Sequence, residues 1–184
     1  MRTAGIILCG GKSSRMGQDK AGLMWQGQSW LDHTAQILRD AGADKIYVSG
    51  KREGYISLQD MIDGRGPLAA ICSCALQIED EVEALLFVPV DMPLLSAEAL
   101  KTLSEGAEDV QAAVFADFSL PLLLRLDDEM RNRCRAALAQ LTAGGKGAVK
   151  EFLTGIRVNR LSVIHPETLR NFNRPEDLNG IVYE

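Results

Sequence analysis

Unbroken apolar runs alternate along this chain with stretches of helical spacing. Thr3–Leu8 is a continuous apolar run that ends in glycines, and residues 84–90 form another, broken near its end by Pro89. Strands covered on both faces read in this way, without polar alternation. Lys45–Ser49 predicts a further strand, residues 110–115 and 120–124 a strand pair, and residues 156–163 a late strand. Residues 29–41 carry Leu31, Ala35 and Leu38 at helical spacing behind Ser29 and Asp32, an arrangement similar to a capping box. Residues 68–78 follow Gly66-Pro67 as a second helix. Ser96 caps a third, running to about residue 104. Asp127 opens an amphipathic helix to residue 141, closed by Gly144-Gly145, and a short helix over 147–153 follows.

Strands and helices that alternate through short connections predict βαβ units. Right-handed crossovers then build a doubly wound α/β fold, a mostly parallel central sheet with helices on both faces. Such sheets bind ligands at the carboxyl ends of their strands. The loops after Leu8, Ser49 and Val90 are therefore where chemistry is expected.

Composition narrows the class. The chain has 184 residues, 46% hydrophobic and 24% charged, with no short repeat, which excludes a disordered or fibrous protein. The length predicts one domain over residues 1–184. A net charge of −5 argues against a nucleic-acid or anionic-membrane partner. No apolar run approaches the roughly 20 residues that span a bilayer, and Gly10-Gly11 cut short any secretory core, so a cytoplasmic location is expected. Cys9, Cys72, Cys74 and Cys134 make no CxxC pair, and with only His33 and His165 beside them they read as reduced, mostly buried thiols. Neither histidine has a catalytic arrangement. Trp25 and Trp30 read as edge and core residues, and residues 125–135 as a solvated helix face.

Against that acidic background, residues 12–20 hold three cations and one anion. Glycines let backbone N–H groups approach a phosphate, and Lys and Arg neutralise it. The loop is not a Walker A motif, because Gly11 intervenes between Gly10 and Lys12-Ser13. Nor is it a G-x-G-x-x-G fingerprint. Lys20 and Arg15 are the cations expected on such a phosphate, Arg15 as a fork and Lys20 as a point charge. Asp91 ends an apolar strand, where a carboxylate needs a partner. Mg²⁺ beside phosphates is one, and the N-cap of the next helix is the other reading. Asp60 follows the strand-like residues 56–58, and Asp63 sits in a turn with Gly64, where Asp is common for local reasons.

The loop from Leu8 to Lys20 matches L-x-G-G-x-x-x-R-M-G-x-D-K, and so resembles the nucleotidyltransferases of the molybdenum cofactor pathway, most closely the guanylyltransferases. Gly66-Pro67-Leu68-Ala69 is similar to that family's G-P-L-A segment. Val88-Pro89-Val90-Asp91-Met92-Pro93 resembles its strand ending in Asp. Asn171-Phe172-Asn173-Arg174-Pro175-Glu176-Asp177-Leu178 is similar to its closing N-x-N-T-P-E-D-L. Residues 106–165 match loosely. The resemblance implies a Rossmann-like nucleotidyltransferase fold and transfer of GMP from GTP to the phosphate of molybdopterin, with release of pyrophosphate. It places Leu8, Cys9, Gly10 and Gly11 on base and ribose, Lys20 and Asp60 on the nucleotide, and Asp91 on nucleotide and Mg²⁺. Asn171 and Asn173 fall on the molybdopterin side; stabilising a turn before Pro175 is their other reading. Cofactor insertion and recipient proteins are the implied transient partners. Cys9 stands where the family usually has Ala, Ser49 where it often has Asn, and Arg174 where Thr is common. A thiol at position 9 is open to oxidation beside a nucleotide. The rival readings are a CTP-dependent enzyme of the same fold, a noncatalytic nucleotide or cofactor carrier, and, weakest, a P-loop kinase. The double glycine and Gly66-Pro67-Leu68 favour guanine over cytosine.

Overall fold

Successive strand residues point alternately into two apolar layers, and the sheet they form is the partition between those layers. The computed structural model describes residues 1–9, 19–78, 81–172 and 174. Among these, the strands in chain order are β1 (Thr3–Leu8), β2 (Met24–Trp25), β3 (Gln28–Ser29), β4 (Lys45–Ser49), β5 (Ile56–Leu58), β6 (Ala84–Pro89), β7 (Ala112–Phe115), β8 (Leu122–Arg125) and β9 (Val158–Leu161). The helices are α1 (Trp30–Asp40), α2 (Pro67–Gln77), α3 (Ala97–Glu105), α4 (Asp128–Thr142) and α5 (Val149–Phe152). Seven strands form one sheet in the order β5-β4-β1-β6-β8-β7-β9, and β2 and β3 make a separate ribbon. All neighbours in the sheet are parallel except β8, which runs antiparallel to both β6 and β7.

Ala4, Ile6 and Leu8 of β1 and Leu85 and Phe87 of β6 face the layer that holds α2, α4 and α5. Ile7 of β1 and Ala84, Leu86 and Val88 of β6 face the layer that holds α1 and α3. This two-sided cover explains the continuous apolar runs; burying each large side chain among them contributes about 1.5–3 kcal/mol. Gly5 admits close packing of α1, since a Cβ there would stand 2.9 Å from Ile46 Cδ1 and 3.0 Å from Leu38 Cδ1. Helix α2 is buried from Leu68 to Ala75 on every side, between the sheet and α4, so it lacks a polar stripe.

Local capping chemistry sets the helix starts. Ser29, Ser96 and Asp127 each accept a backbone N–H from the residue three positions on, at α1, α3 and α4. Pro89 closes β6 without a lost ladder bond. Val90 N–H donates to Leu8 O at 3.2 Å, so Pro89 faces the other way, where pairing with β8 has already ended at Phe87.

Two expectations need correction. Strands β7 and β9 are shorter than the apolar pattern, starting at Ala112 and Val158, because the flanking residues lie beyond the ladder they share. The stretch 125–135 is solvated only in part: Asp127, Asp128, Glu129, Asn132 and Arg135 are exposed, and Met130 and Cys134 are buried. Arg131 is buried, and its guanidinium donates to Ala75 O at 2.9 Å and Ile78 O at 3.1 Å, at the C-terminal end of α2. Arg133 donates to Phe152 O and lies over the Phe152 ring. A cation at a helix C-terminus satisfies carbonyls that have no intrahelical donor and complements the helix dipole. Among the described residues, no helix is long and apolar enough to cross a membrane.

Arg131→Met keeps the aliphatic stem and removes the donors. It should lower the unfolding free energy by about 2 kcal/mol, the scale of lost hydrogen bonds to a charged group. The measurement is the urea midpoint at unchanged slope; an unmoved midpoint would show that solvent satisfies the α2 carbonyls equally well.

Candidate active site

Strand β1 is flanked by β4, reached through α1, and by β6, reached through α2, and these helices cover opposite faces. The strand order reverses between β1 and β6, so the ligand-binding edge expected of such a sheet lies between Leu8-Cys9 at the end of β1 and Val90-Asp91 at the end of β6.

Two charged side chains meet there. Lys20 Nζ donates to Asp91 Oδ2 at 2.7 Å, with only 16% and 19% of the two side chains exposed. Each is held by its own element. Asp19 caps a 3-10 turn over Lys20–Gly22 by accepting Ala21 N–H at 3.2 Å, and Ala21 is buried in the α1–α3 layer. Val90, Met92, Leu94 and Leu95 are buried around Asp91. Asp91 O accepts Phe172 N–H at 2.8 Å, which brings the end of the chain back to this loop. His33 Nε2 lies 2.8 Å from Pro93 O, and its Nδ1 lies 2.8 Å from Gln28 Nε2. A carbonyl can only accept, so Nε2 donates and Nδ1 takes the Gln28 amide proton. The N-cap of α3 is Ser96, not Asp91, which leaves the Asp91 carboxylate to other partners.

A second acidic group stands at the end of β4. Ser49 Oγ donates to Asp60 Oδ1 at 3.0 Å. The backbone on either side of Asp60 is fastened to α2: Ser73 Oγ accepts Met61 N–H and Gln77 Nε2 donates to Gln59 O. Burial raises the Asp60 carboxyl above its ordinary range, opposed by the Ser49 hydrogen bond and helped by the charge of Asp63. Asp63 itself is exposed.

Cys9 is half-buried, and burial pushes its thiol up to about 12 although the Arg52 guanidinium pulls it back. Asn171 is exposed beside buried Phe172. Gly10, Gly11, Arg15 and Asn173 lie outside the described residues. The structure therefore pairs Lys20 with Asp91 beside the carboxyl ends of β1 and β6, where Leu8 and Cys9 lie, with Asn171 next to the residue that bonds Asp91 and with Asp60 beside Ser49.

His33 and Arg52 are residues that sequence reasoning passed over. Arg52 carried a usable signal, since it stands three residues past Ser49 in a loop at the carboxyl edge of the sheet. His33 carried none, because its partner Pro93 is 60 positions away.

The model of the MobA-like NTP transferase domain matches residues 5–159. A molybdenum cofactor guanylyltransferase of Xanthomonas euvesicatoria is 37% identical, with 98% of this chain and 94% of that protein covered. A probable molybdenum cofactor guanylyltransferase of Opitutus terrae is 30% identical over 95% of this chain and 92% of its own. Among solved structures, the molybdopterin-guanine dinucleotide biosynthesis protein A of Archaeoglobus fulgidus superposes with a TM-score of 0.68 at 20% identity, covering 97% of this chain and 95% of that one. The chain belongs to the MobA-like NTP transferase domain family and is a nucleotidyltransferase.

Proposed function

We propose that this chain, acting as one catalytic unit in the cytoplasm, transfers GMP from GTP to the terminal phosphate of molybdopterin. The observation that carries the reading is the Lys20–Asp91 pair at the switch point, one cation and one carboxylate facing each other where a nucleotide's phosphates would lie. The names of the relatives over nearly the whole chain support the choice of substrates.

In the reaction, an oxygen of the molybdopterin phosphate forms a bond to the α-phosphorus of GTP. The bond from that phosphorus to the bridging oxygen breaks, and pyrophosphate leaves with the electron pair. Lys20 and Arg15 neutralise charge on the phosphoryl oxygens and the leaving group. Backbone at Leu8, Cys9, Gly10 and Gly11 holds base and ribose, and Asp60 binds the nucleotide in preference to exposed Asp63. Asn171 and Asn173 face the molybdopterin side.

Asp91 is the residue that would hold Mg²⁺. Among the described residues no cluster of three metal-ligating side chains exists. One carboxylate beside substrate phosphates is the donor set that Mg²⁺ accepts. When bound, the ion supplies charge to the phosphoryl oxygens. Insertion and recipient proteins are the transient partners this reading implies.

Pyrophosphate release with Mg²⁺ and molybdopterin, run with GTP, CTP, ATP and UTP, tests the proposal. Release with GTP alone is expected. Release with CTP alone overturns the base, and no release from folded protein favours the carrier reading. Lys20→Ala and Asp91→Ala should each cost about 100-fold or more in turnover with an unchanged circular dichroism spectrum; near-normal turnover in both overturns the mechanism.

In the free protein Lys20 neutralises the carboxylate that a metal would take. Lys20→Met should therefore tighten Mn²⁺ binding measured without nucleotide, by about tenfold, because a competing unit charge at contact has gone. Unchanged or weaker binding would place the metal elsewhere.

The raised Asp60 carboxyl has a stability signature. The folded state binds its proton more tightly than the unfolded state, so stability falls as pH rises from the ordinary carboxylate value through the raised one. Asp60→Asn should raise the melting temperature at pH 7 yet weaken nucleotide binding, and its stability advantage should vanish in acid below pH of about 4. A variant less stable at pH 7 would contradict the assignment.

A further inference from the structure

Arg52 lies in the loop between β4 and β5, a six-residue connection between parallel neighbours that has no helix. Parallel neighbours normally need a crossover of a dozen residues or more. Here only three positions pair, and Ile56 drops back to the level of Tyr47. The loop is fixed by β5: Ser57 Oγ accepts Arg52 N–H at 3.1 Å, and Gly50 N–H donates to Leu58 O at 2.8 Å.

From this footing the guanidinium reaches across to the loop that follows β1. Nη2 donates to Asp19 Oδ1 at 2.8 Å and Nη1 donates to Lys51 O at 3.2 Å, and the guanidinium charge acts on the Cys9 thiol. Asp19 is the residue that follows segment 10–18, which carries Gly10, Gly11 and Arg15. Asp19 spends the same oxygen, Oδ1, on the N–H of Ala21, in the turn that presents Lys20. One side chain is thus tied, through Asp19, to the lysine that faces Asp91. Its Nε–H is buried and has no acceptor among the described residues. Stability alone does not account for a guanidinium left with a buried, unsatisfied donor and paired with an Asp19 carboxylate that is 59% exposed.

We propose that Arg52 is a positioning residue of the nucleotide site, holding Asp19 against the β4–β5 loop and so orienting Lys20. This rests on the reading that segment 10–18 and Lys20 bind a nucleoside triphosphate.

The test is a double-mutant cycle of Arg52→Ala and Asp19→Asn, read by GTP–Mg²⁺ affinity in calorimetry without the second substrate, and by KM and kcat for pyrophosphate release. The amide introduced by Asp19→Asn keeps an oxygen for Ala21 N–H and loses the charge. Arg52→Ala should weaken GTP affinity and raise KM by about tenfold, the scale of one hydrogen bond to a charged group, and should lower kcat by less than Lys20→Ala does, because Lys20 is still present but less well oriented. The double variant should be no worse than Arg52→Ala alone, because the effect runs through Asp19. Unchanged affinity in Arg52→Ala, or losses that multiply in the double variant, overturns the role of Arg52 while leaving the functional reading in place. An unsubstituted chain that takes no nucleotide overturns the functional reading itself, and this proposal with it.

Discussion

A carboxylate at the end of an apolar, fully covered strand must be neutralised, and much of this structure serves that requirement at Asp91. Strand β6 lies between β1 and β8 with its side chains buried on both faces, so it delivers Asp91 to a fixed point. Buried neighbours on both sides of Asp91 flank its carboxylate, which meets Lys20. The counter-charge comes from Lys20, carried on a turn that Asp19 caps and Ala21 anchors. Both charges are only partly exposed, so removing one leaves the other poorly compensated, and a ligand that separates them must replace both charges. A triphosphate with a divalent cation is such a ligand, since it offers an anion to Lys20 and a cation to Asp91 at once.

The elements that local chemistry determines were legible in the sequence. Ser29, Ser96 and Asp127 cap their helices because a cap is satisfied within three residues. Strands β1 and β6 announced themselves because both of their faces are covered. The loops after Leu8 and Val90 stood out because parallel strands deliver their carboxyl ends to one edge. Asp60 was separable from Asp63 in part, since it follows a strand that pairs with β4.

What was not legible depends on distant partners. Arg131 reads as a surface residue until Ala75 and Ile78, more than fifty positions earlier, are seen to leave carbonyls beneath it. The place of β8, antiparallel between two strands parallel to each other, follows from the route of the chain and not from any residue in it. Arg52 and Asp19 are 33 positions apart, and nothing in either pattern links them.

The strand order also bears on how the chain reaches this state during synthesis. Strands β1, β4 and β5 all lie within the first 58 residues and can pair as soon as they emerge. The opposite edge of β1, apolar on both faces, has no partner until residues 84–89 arrive. In that interval the growing chain carries an unpaired, uncharged strand edge, the template on which intermolecular pairing begins. In the finished sheet that edge is paired, and the outer strands are the three-residue β5 and the partly polar β9, with Asn159 and Arg160. The unpaired interval of β1 therefore belongs to translation, and it falls on the central strand whose end comes to lie beside Asp91.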